Sequence, residues 1–508
     1  MALTKAARLE ILGLQLSAVA EQMGAVLRRA AYSPNIKERA DFSAAVFTPS
    51  GDLLAQAEHI PVHLGSMPAS AKAAIERLGD SIGPGCHVIL NDPYLGGTHL
   101  NDITLVTPSY KGKTLIGWVA TRAHHSDVGG KTPGSIPPDA TEIFQEGLRI
   151  PPVLYSEQIA ELVCANSRTP RERRGDLEAQ VGANRLGAAE LARFDPEMFE
   201  EICNYGERRM RAAMAVLQPG TCLFVDRLDS SGASEDQRDP VAIVLKLVVE
   251  RDRLVFDFTA SDRQAKGSIN AVRAVTVSAV EFALRSVLDP DLPRNAGVMR
   301  PVDIVTEPGS VVDAEEPAAT GAGNVEASQR IADVCFGALA QAAPGRVGAA
   351  SQGTMNNVLV GGRDWTYYET LGGGQGARPD RDGMSAVHTG MTNTENTPIE
   401  ALEREFPMLV EQYSIRENSG GKGRFRGGDG LVRAIRFLEE ATVSLVTERR
   451  VTAPWGLAGG LPGATGRNLL RKANSGTVVE LADKAVVSVN RGDVMIVETP
   501  GGGGYGAP

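Results

Sequence analysis

One long hairpin constrains the fold of this chain more than any other feature. Apolar and β-branched stretches over residues 103–107 and 114–122 flank a turn sequence that contains Gly112, which is the pattern of two antiparallel strands. If the turn centres near Gly112, paired positions sum to about 224, so Asp102 lies opposite Arg122 with their Cα atoms roughly 5 Å apart. The chain before the first strand and the chain after the second strand then emerge at the same end of the hairpin.

Potential metal ligands gather at this end of the hairpin. His99 and Asp102 form an H-x-x-D pattern before the first strand, and His124 follows Arg122 by two residues. Asp41 stands at the start of another predicted strand and is a candidate fourth ligand. Imidazole and carboxylate ligands together suit zinc, manganese or iron. Because successive strand residues point to opposite faces, His124 and His125 do not both serve as ligands, and we favour His124.

Histidine is concentrated in the same part of the chain. Six of the seven histidines lie within the first 125 residues, where an even spread would place about two. The stretch from Glu58 to His63 is a further candidate to line a pocket or supply a ligand; a polar loop ahead of a helix is the alternative. The end of the hairpin also has a purely structural interpretation without a metal. In that interpretation His99 caps a glycine loop and Asp102 caps a turn.

The remaining pattern predicts a mixed α+β fold of several layers, with long antiparallel strands and several helices. An amphipathic helix over Leu9–Val26 ends before Ser33-Pro34, since proline disfavours a helical residue before it. Strands are predicted over 221–227, 241–249 and 253–258, and helices over 271–288 and 325–342. We divide the chain into an N-terminal metal-site domain (1–220), a central α+β domain (221–350) and a strand-rich, glycine-rich C-terminal domain (351–508).

Glycine is abundant, at 56 of 508 residues, or about 11% against the usual ~7%. The runs 372–376 and 501–504 are candidates to cradle a phosphate through backbone N–H groups. Neither run belongs to a phosphate-loop motif or a dinucleotide-binding motif. Tight turns or interface loops are therefore the favoured interpretation.

Charge and composition exclude several classes of protein. A net charge of −10 argues against nucleic-acid binding. The sequence has no uncharged apolar run of the roughly 18 residues that a membrane span needs and no secretory signal pattern at its start, so we expect a cytoplasmic protein. The five cysteines form no C-x-x-C pair, and no G-x-S-x-G nucleophile motif is present.

Seven ordered motifs resemble the hydantoinase B/oxoprolinase family, which includes B subunits of ATP-dependent hydantoinases and lactamases, the C-terminal part of 5-oxoprolinase, and the alpha subunit of acetone carboxylase. The resemblance runs along nearly the whole chain. The motifs are SPNIKERADFS (33–43), HIPVHLGSM (59–67), NDPYLGGTHLND (91–102), HHSDVGG (124–130), EGLRIPP (146–152), RGDLEAQ (174–180) and TPGGGGYG (499–506).

The resemblance implies a divalent metal ion (zinc, manganese or iron) held by His99, Asp102 and His124, with Asp41 as a fourth ligand or a proton acceptor. It also implies a partner, a hydantoinase A-type ATPase subunit that carries the ATP site, in an A2B2 or larger hetero-oligomer. The expected substrate is a small cyclic amide such as hydantoin, 5-oxoproline or a lactam.

The expected reaction begins when the partner phosphorylates the amide oxygen, after which this chain hydrolyses the activated amide. His125, Asp127 and Glu146 are further candidates for the catalytic site, as hydrogen-bond partners that orient the imidazole ligands. One alternative is an alpha-type subunit of an ATP-dependent ketone carboxylase. The other is a scaffold whose metal is structural and closed by four protein ligands.

Overall fold

The computed structural model describes residues 5–58 and 60–508 and has the predicted α+β architecture. His59, a candidate pocket residue, lies outside the described residues, as does the side chain of Glu58. All of the predicted metal ligands lie within the first 214 residues of the chain.

Helices occur where the apolar periodicity predicts them. The first helix ends at Ala30, before Ser33-Pro34, and the two predicted central helices are also present. A π-helical turn, Gly323–Ala327, precedes the second of these. Within the described chain, no helix is both long and apolar enough to cross a membrane. The α-helices are α1 (Lys5–Ala30), α2 (Pro34–Lys37), α3 (Ser66–Leu78), α4 (Glu157–Ala165), α5 (Pro170–Leu191), α6 (Phe199–Met214), α7 (Arg273–Val287), α8 (Ser328–Ala342) and α9 (Ile399–Glu405).

A six-stranded antiparallel sheet forms the framework of the N-terminal region. Its order is β2-β1-β5-β4-β3-β6, so the long hairpin β4–β5 lies at its centre. The strands are β1 (Phe42–Phe47), β2 (Leu53–Glu58), β3 (Val88–Leu90), β4 (Asp102–Lys111), β5 (Thr114–His124) and β6 (Val153–Leu154).

The predicted hairpin register is wrong by two residues. Asp102 lies opposite His124, whereas Arg122 lies opposite Thr104. The turn is centred between Gly112 and Lys113, half a residue later than expected, which shifts the paired positions by one residue. A bulge near Ser109 shifts them by one residue more. The shift places Asp102 and His124 directly across from each other.

Both faces of this sheet are buried. On one face α1 and α5 pack against a core cluster that includes Val46, Val119 and Ala123. On the other face α3 packs against Trp118 and its neighbours. Each large apolar side chain that is buried in this way contributes roughly 1.5–3 kcal/mol relative to exposure. The hairpin end that carries the candidate site is therefore held rigidly from both sides.

Three further sheets follow along the chain. The first has the order β10-β9-β8-β7, in which β9 and β10 are parallel; the others have the orders β12-β11-β15-β18 and β13-β14-β19-β16-β17. The division into three domains stays a prediction. The strands are β7 (Gly220–Leu228), β8 (Val241–Val249), β9 (Leu254–Asp257), β10 (Val302–Val305), β11 (Asn357–Gly361), β12 (Thr366–Glu369), β13 (Met408–Arg416), β14 (Gly430–Phe437), β15 (Ala441–Val446), β16 (Arg467–Arg471), β17 (Val478–Leu481), β18 (Lys484–Val489) and β19 (Val494–Glu498).

The glycine runs are packing elements, as favoured from the sequence. The four N–H groups of 501–504 donate to the carbonyl groups of Ala464, Gly428, Ala350 and Leu461 at 2.8–3.1 Å. The N–H groups of 373–376 are likewise bonded to protein oxygens. A Cβ atom on Gly503 would lie 2.1 Å from a neighbouring carbonyl oxygen, so only glycine permits this approach. These N–H groups are not free to bind a phosphate.

Candidate metal centre

A glycine-dependent loop carries the first ligands into the protein interior. The carboxylate of Asp92 accepts a 3.0 Å hydrogen bond from the N–H of Tyr94 and starts a short 3-10 turn. Gly96 follows with a φ of +89°, and a Cβ atom there would lie 2.5 Å from the carbonyl oxygen of Ala69. A side chain at this position would force the loop away from α3. The loop then leads into β4 at Asp102.

Three potential ligand side chains converge at the end of the hairpin. Nε2 of His99 lies 3.1 Å from Oδ1 of Asp102, and Nδ1 of His124 lies 3.5 Å from the same oxygen. One ligand atom from each residue lies within 4.8 Å of the other two, and all three side chains are buried. We call these residues the His99–Asp102–His124 cluster.

The cluster fits a divalent transition metal ion in its chemistry and in the two ligand separations that involve Asp102. Nε2 of His99 is buried and has no hydrogen-bond partner within the described structure, although Oδ1 of Asp102 is only 3.1 Å away. Ligands of a tetrahedral ion lie roughly 3.3–3.6 Å apart when each metal–ligand bond is about 2.0–2.2 Å. The separations of 3.1 and 3.5 Å in the cluster are close to that range. Two imidazoles and a carboxylate suit zinc, manganese or iron.

The electrostatics of the cluster keep Asp102 ionised. Burial opposes the charge on this carboxylate, but the imidazoles of His99, His124 and His63 outweigh it and hold the pKa of Asp102 well below its usual range. The hydroxyl of Thr98 also donates a 2.6 Å hydrogen bond to Oδ2. Burial likewise opposes a charge on His99, yet the neighbouring carboxylate raises the pKa of that imidazole. A bound metal ion would take the place of a proton on this imidazole.

His124 is held as a neutral imidazole. Burial lowers the pKa of His124 to about 4, and the neutral form is the one that binds metals. Its ring stacks on Tyr368 with centroids 4.7 Å apart and planes at 19°. The hydroxyl of Tyr368 donates a 2.8 Å hydrogen bond to Asn357, which fixes the stacking partner in turn.

Asp41 lies at the edge of the cluster. Its backbone carbonyl accepts a 3.0 Å hydrogen bond from the N–H of His124, and its Oδ2 lies 4.0 Å from Nδ1 of the same histidine. It does not belong to the compact set of three ligands found among the described residues. Burial raises the pKa of Asp41 to about 6. A carboxyl group with that pKa is suited to accept and release a proton near neutral pH.

A small cavity opens beside the cluster, with Asp41, Asp102 and His124 in its wall. His63 also lines the cavity; its Nε2 lies 3.4 Å from Asp102, and its Nδ1 lies 2.9 Å from the hydroxyl of Ser43. In the sequence, the 58–63 stretch is a weaker candidate than the hairpin residues, although the HIPVH motif includes it.

Distant segments supply the other walls of the cavity. Asn324, in the π-helical turn, places Nδ2 3.5 Å from Oδ2 of Asp102, and its Oδ1 has no partner within the described structure. Tyr368 reaches the cavity from β12. Neither residue lies in a recognised motif, and spacing along the chain does not reveal a contact made across more than 200 residues.

Two of the predicted catalytic residues point elsewhere. Nε2 of His125 lies 3.0 Å from the side-chain oxygen of Gln180, on the side of the strand opposite His124. The carboxylate of Asp127 accepts hydrogen bonds from the N–H groups of Gly129, Gly134 and Arg168 and from the Arg168 guanidinium. None of these partners belongs to the cluster. These hydrogen bonds support the neighbouring helix and loop, and a catalytic role for His125 and Asp127 stays a prediction.

Glu146 is linked to the cluster through the backbone of Gly321. Its carboxylate accepts hydrogen bonds from the N–H groups of Thr320 (3.2 Å) and Gly321 (2.8 Å). The carbonyl oxygen of Gly321 lies 3.4 Å from Nδ1 of His99. Burial raises the pKa of Glu146 to about 7. Glu146 is thus a positioning residue for the His99 ring, which fits a supporting role but not direct contact with a substrate.

Comparisons with known proteins agree on one family and one fold. The family model for hydantoinase B/oxoprolinase matches residues 5–508. An uncharacterised protein of Methanocaldococcus jannaschii is 41% identical, over 98% of this chain and 90% of its own length. The 5-oxoprolinase of Dictyostelium discoideum is 38% identical over 96% of this chain, which spans only 39% of that relative. The ATP-dependent caprolactamase of Pseudomonas jessenii matches in structure with a TM-score of 0.89 at 26% identity, covering 100% of this chain and 92% of that chain.

Proposed function

The chain belongs to the hydantoinase B/oxoprolinase family, and on that premise we propose that it is the metal-dependent hydrolytic subunit of an ATP-dependent cyclic amide hydrolase. The observation that carries the proposal is the buried His99–Asp102–His124 cluster beside a cavity that Asp41 lines. The substrate class is a small ring amide such as hydantoin, 5-oxoproline or a lactam.

The need for ATP follows from the chemistry of the amide bond. Resonance strengthens the C–N bond and makes the carbonyl carbon a poor electrophile. Phosphorylation of the amide oxygen removes that resonance and leaves a C=N bond that water can attack. This chain contains no phosphate-loop motif, and the N–H groups of residues 373–376 and 501–504 are occupied. We therefore assign phosphorylation to a hydantoinase A-type ATPase subunit that assembles with this chain as A2B2 or a larger complex.

The metal ion would be held by the three cluster residues. When bound, it would supply Lewis acidity and lower the pKa of a coordinated water towards about 7. The hydroxyl of Thr98 holds Asp102 in the orientation that ligation requires. The carbonyl group of Gly321 does the same for the His99 ring. Tyr368 does the same for His124 by stacking on its ring.

Asp41 acts as the proton acceptor in this proposal. Water adds to the carbon that bears the phosphorylated oxygen, and its proton passes to the Asp41 carboxylate. The ring nitrogen takes this proton back from Asp41. It then takes the remaining proton of the added hydroxyl as the C=O bond re-forms and the C–N bond breaks, so the ring opens as an acyl phosphate with a free –NH2 group. A second water releases phosphate and a carboxylate. The sum is one cyclic amide, one ATP and two waters converted to one amino acid or ureido acid, ADP and phosphate.

The alternatives differ from this proposal in observable ways. A structural metal is usually closed by four protein ligands, whereas the compact set among the described residues has three and adjoins a cavity. A ketone carboxylase would use the same side chains but would consume bicarbonate and a ketone instead of a cyclic amide.

The test is to co-express the chain with an A-type subunit and to follow ring opening by mass spectrometry. Hydantoin, 5-oxoproline and unsubstituted lactams are supplied with ATP, and acetone with bicarbonate is run in parallel. Asp102→Asn should abolish ring opening, whereas Asp139→Asn, a matched change outside the cluster, should retain it. Ring opening that survives Asp102→Asn, or product only in the ketone reaction, would refute the proposal.

A further inference from the structure

His63 lies beside the metal cluster but has no part in the reaction proposed above. It is 1% exposed, ends the 3-10 turn Pro61–His63, and lines the cavity together with Asp41 and His124. Its Nε2 atom lies 3.4 Å from Oδ2 of Asp102. His63 does not, however, belong to the compact set of three ligands found among the described residues. A buried imidazole that faces a ligand without joining the ligand set requires its own explanation.

The two carboxylate oxygens of Asp102 face different groups. Oδ1 faces the two imidazoles of the cluster, at 3.1 and 3.5 Å. Oδ2 accepts a 2.6 Å hydrogen bond from the hydroxyl of Thr98, and Nδ2 of Asn324 lies 3.5 Å from it. His63 approaches on the same side as these two donors. Oδ1 is therefore the oxygen that faces the other ligands, and Oδ2 is the oxygen that neighbouring donors hold.

The hydroxyl of Ser43 determines which nitrogen of His63 carries the proton. Ser43 Oγ is buried and lies 2.9 Å from Nδ1 of His63. A neutral imidazole has one N–H group and one bare nitrogen, so Nε2 presents either a proton or a lone pair to Asp102. A lone pair would repel the carboxylate, whereas an N–H group is attracted to it. When Ser43 donates to Nδ1, the proton is on Nε2, where it can be donated to Oδ2.

The backbone that carries His63 is anchored to other elements. The N–H group of Gly65 donates a 3.0 Å hydrogen bond to the hydroxyl of Ser278 in α7. The hydroxyl of Ser66, at the start of α3, donates a 3.0 Å hydrogen bond to the carbonyl group of Val62. The imidazole is thus fixed through its backbone on one side and through Ser43 on the other.

A hydroxyl, an imidazole and a carboxylate in this order also form the catalytic triad of serine hydrolases. That interpretation fails on access, because a nucleophile must reach the substrate. Ser43 is fully buried in β1, and the cavity wall contains His63 and Asp102 but not Ser43. The arrangement therefore serves to orient Asp102 and not to attack a carbonyl group.

We propose that His63 is a positioning residue of the metal centre. It donates from Nε2 to Oδ2 of Asp102, with Ser43 fixing its tautomer, and so keeps Oδ1 directed at the two imidazoles of the cluster. The inference rests on the metal-dependent function proposed above. Hydrogen-bond partners that orient a metal ligand typically contribute about 10–100-fold to metal affinity, which sets the size of the expected effect.

The experiment measures metal affinity of the full-length chain by competition with a chelator, without substrate, using zinc, manganese and iron(II) in separate titrations. His63→Asn should weaken the affinity by about tenfold or more, because its shorter amide reaches only the position of Nδ1. His63→Gln should retain most of the affinity, because its amide nitrogen reaches the position of Nε2. Ser43→Ala should weaken the affinity less than His63→Asn does, since the imidazole is still present.

His87 provides a matched control on the same sheet. It is also buried, its Nδ1 atom lies 2.7 Å from the hydroxyl of Thr107, and its Nε2 atom has no partner among the described residues. His87→Asn should therefore leave the metal affinity unchanged. Thermal melts of the metal-free variants show how much each substitution costs in folding. Equal loss of metal affinity in His63→Asn and His87→Asn, or no loss in His63→Asn, overturns the proposal.

X-ray absorption spectroscopy of the chain loaded with its tightest ion separates a positioning residue from a ligand. The proposal predicts two imidazole ligands in both the unmodified chain and His63→Gln. A third imidazole that disappears in His63→Gln would make His63 a ligand and overturn the proposal. If the unmodified chain binds none of the three ions, the proposed function fails and this inference fails with it. If the ion is bound as predicted but no cyclic amide is opened, only the proposed function fails.

Discussion

Substitution of two adjacent histidines provides a sharp test of the metal assignment. His124 faces Asp102, whereas His125 faces Gln180 on the other side of the strand. His124→Gln removes one of three ligands, and His125→Gln removes none. Both positions are buried and neighbouring, so the pair controls for burial, size and place in the chain.

The expected magnitudes separate metal binding from folding. Loss of a residue that only supports a ligand typically costs 10–100-fold in metal affinity, so loss of a ligand should cost about 100-fold or more, or roughly 2.7 kcal/mol. The folding costs are similar for the two variants. His124→Gln loses the stacking on Tyr368, worth about 0.5–1.5 kcal/mol, and His125→Gln loses the hydrogen bond to Gln180, worth about 1 kcal/mol.

The assay is a competition titration with a chelator of known affinity, followed by elemental analysis of the dialysed protein and a thermal melt of each variant. We expect His125→Gln to keep a metal affinity within about tenfold of the unmodified chain. His124→Gln should lose the ion under the same conditions with a comparable shift in Tm. Equal metal affinity in the two variants, or loss in His125→Gln alone, would refute the reasoning.

Three further predictions test other parts of the account. Asp41→Asn should retain the metal but lower turnover by about 10²-fold or more, because its proton acceptor is gone; unchanged turnover, or loss of the ion itself, contradicts that role. Burial raises the pKa of Glu326 from 4.5 to about 8, so the folded state binds the extra proton and stability falls as pH rises between these values. Glu326→Gln removes this loss of stability, which is on the order of 4 kcal/mol. The Tm gain on substitution should therefore be larger at about pH 8 than at about pH 5. A gain independent of pH would count against a raised pKa of Glu326. Gly182→Ala should stabilise α5 by about 1 kcal/mol, since its Cβ atom would meet nothing within 4 Å. Gly187→Ala should destabilise the same helix, because its Cβ atom would lie 2.2 Å from the sulfur of Met23. Equal Tm shifts in the two variants would show that this packing is misjudged.

Local patterns predicted the elements of the fold well. The spacing of Leu9, Leu16 and Met23 placed these residues on the buried stripe of α1, and proline at position 34 correctly marked the end of that helix. The hairpin was also found, but its register was not. The turn is centred half a residue later than expected and a bulge near Ser109 adds a residue, and neither leaves a signal in the pattern. Register depends on such single-residue irregularities, which only the folded backbone reveals.

The candidate site was predicted only where its residues share one hairpin. His99, Asp102 and His124 meet because β4 and β5 pair, and a sequence pattern can indicate such a pairing. Asn324 and Tyr368 reach the same cavity from segments more than 200 residues away, through packing that no local pattern encodes. His125 and Asp127 were expected to serve as hydrogen-bond partners that orient the imidazole ligands, but alternation along the strand and the turn after it direct them to Gln180 and to loop N–H groups.

The central claim is that one metal ion is bound by two imidazoles and a carboxylate beside the cavity. Anomalous X-ray diffraction from crystals of the metal-loaded chain, collected on either side of the absorption edges of zinc, manganese and iron, tests it most directly. The account predicts one strong anomalous peak within bonding distance, about 2.0–2.3 Å, of His99, Asp102 and His124. A peak bound by other residues, or no peak in crystals that elemental analysis shows to be loaded, would contradict it.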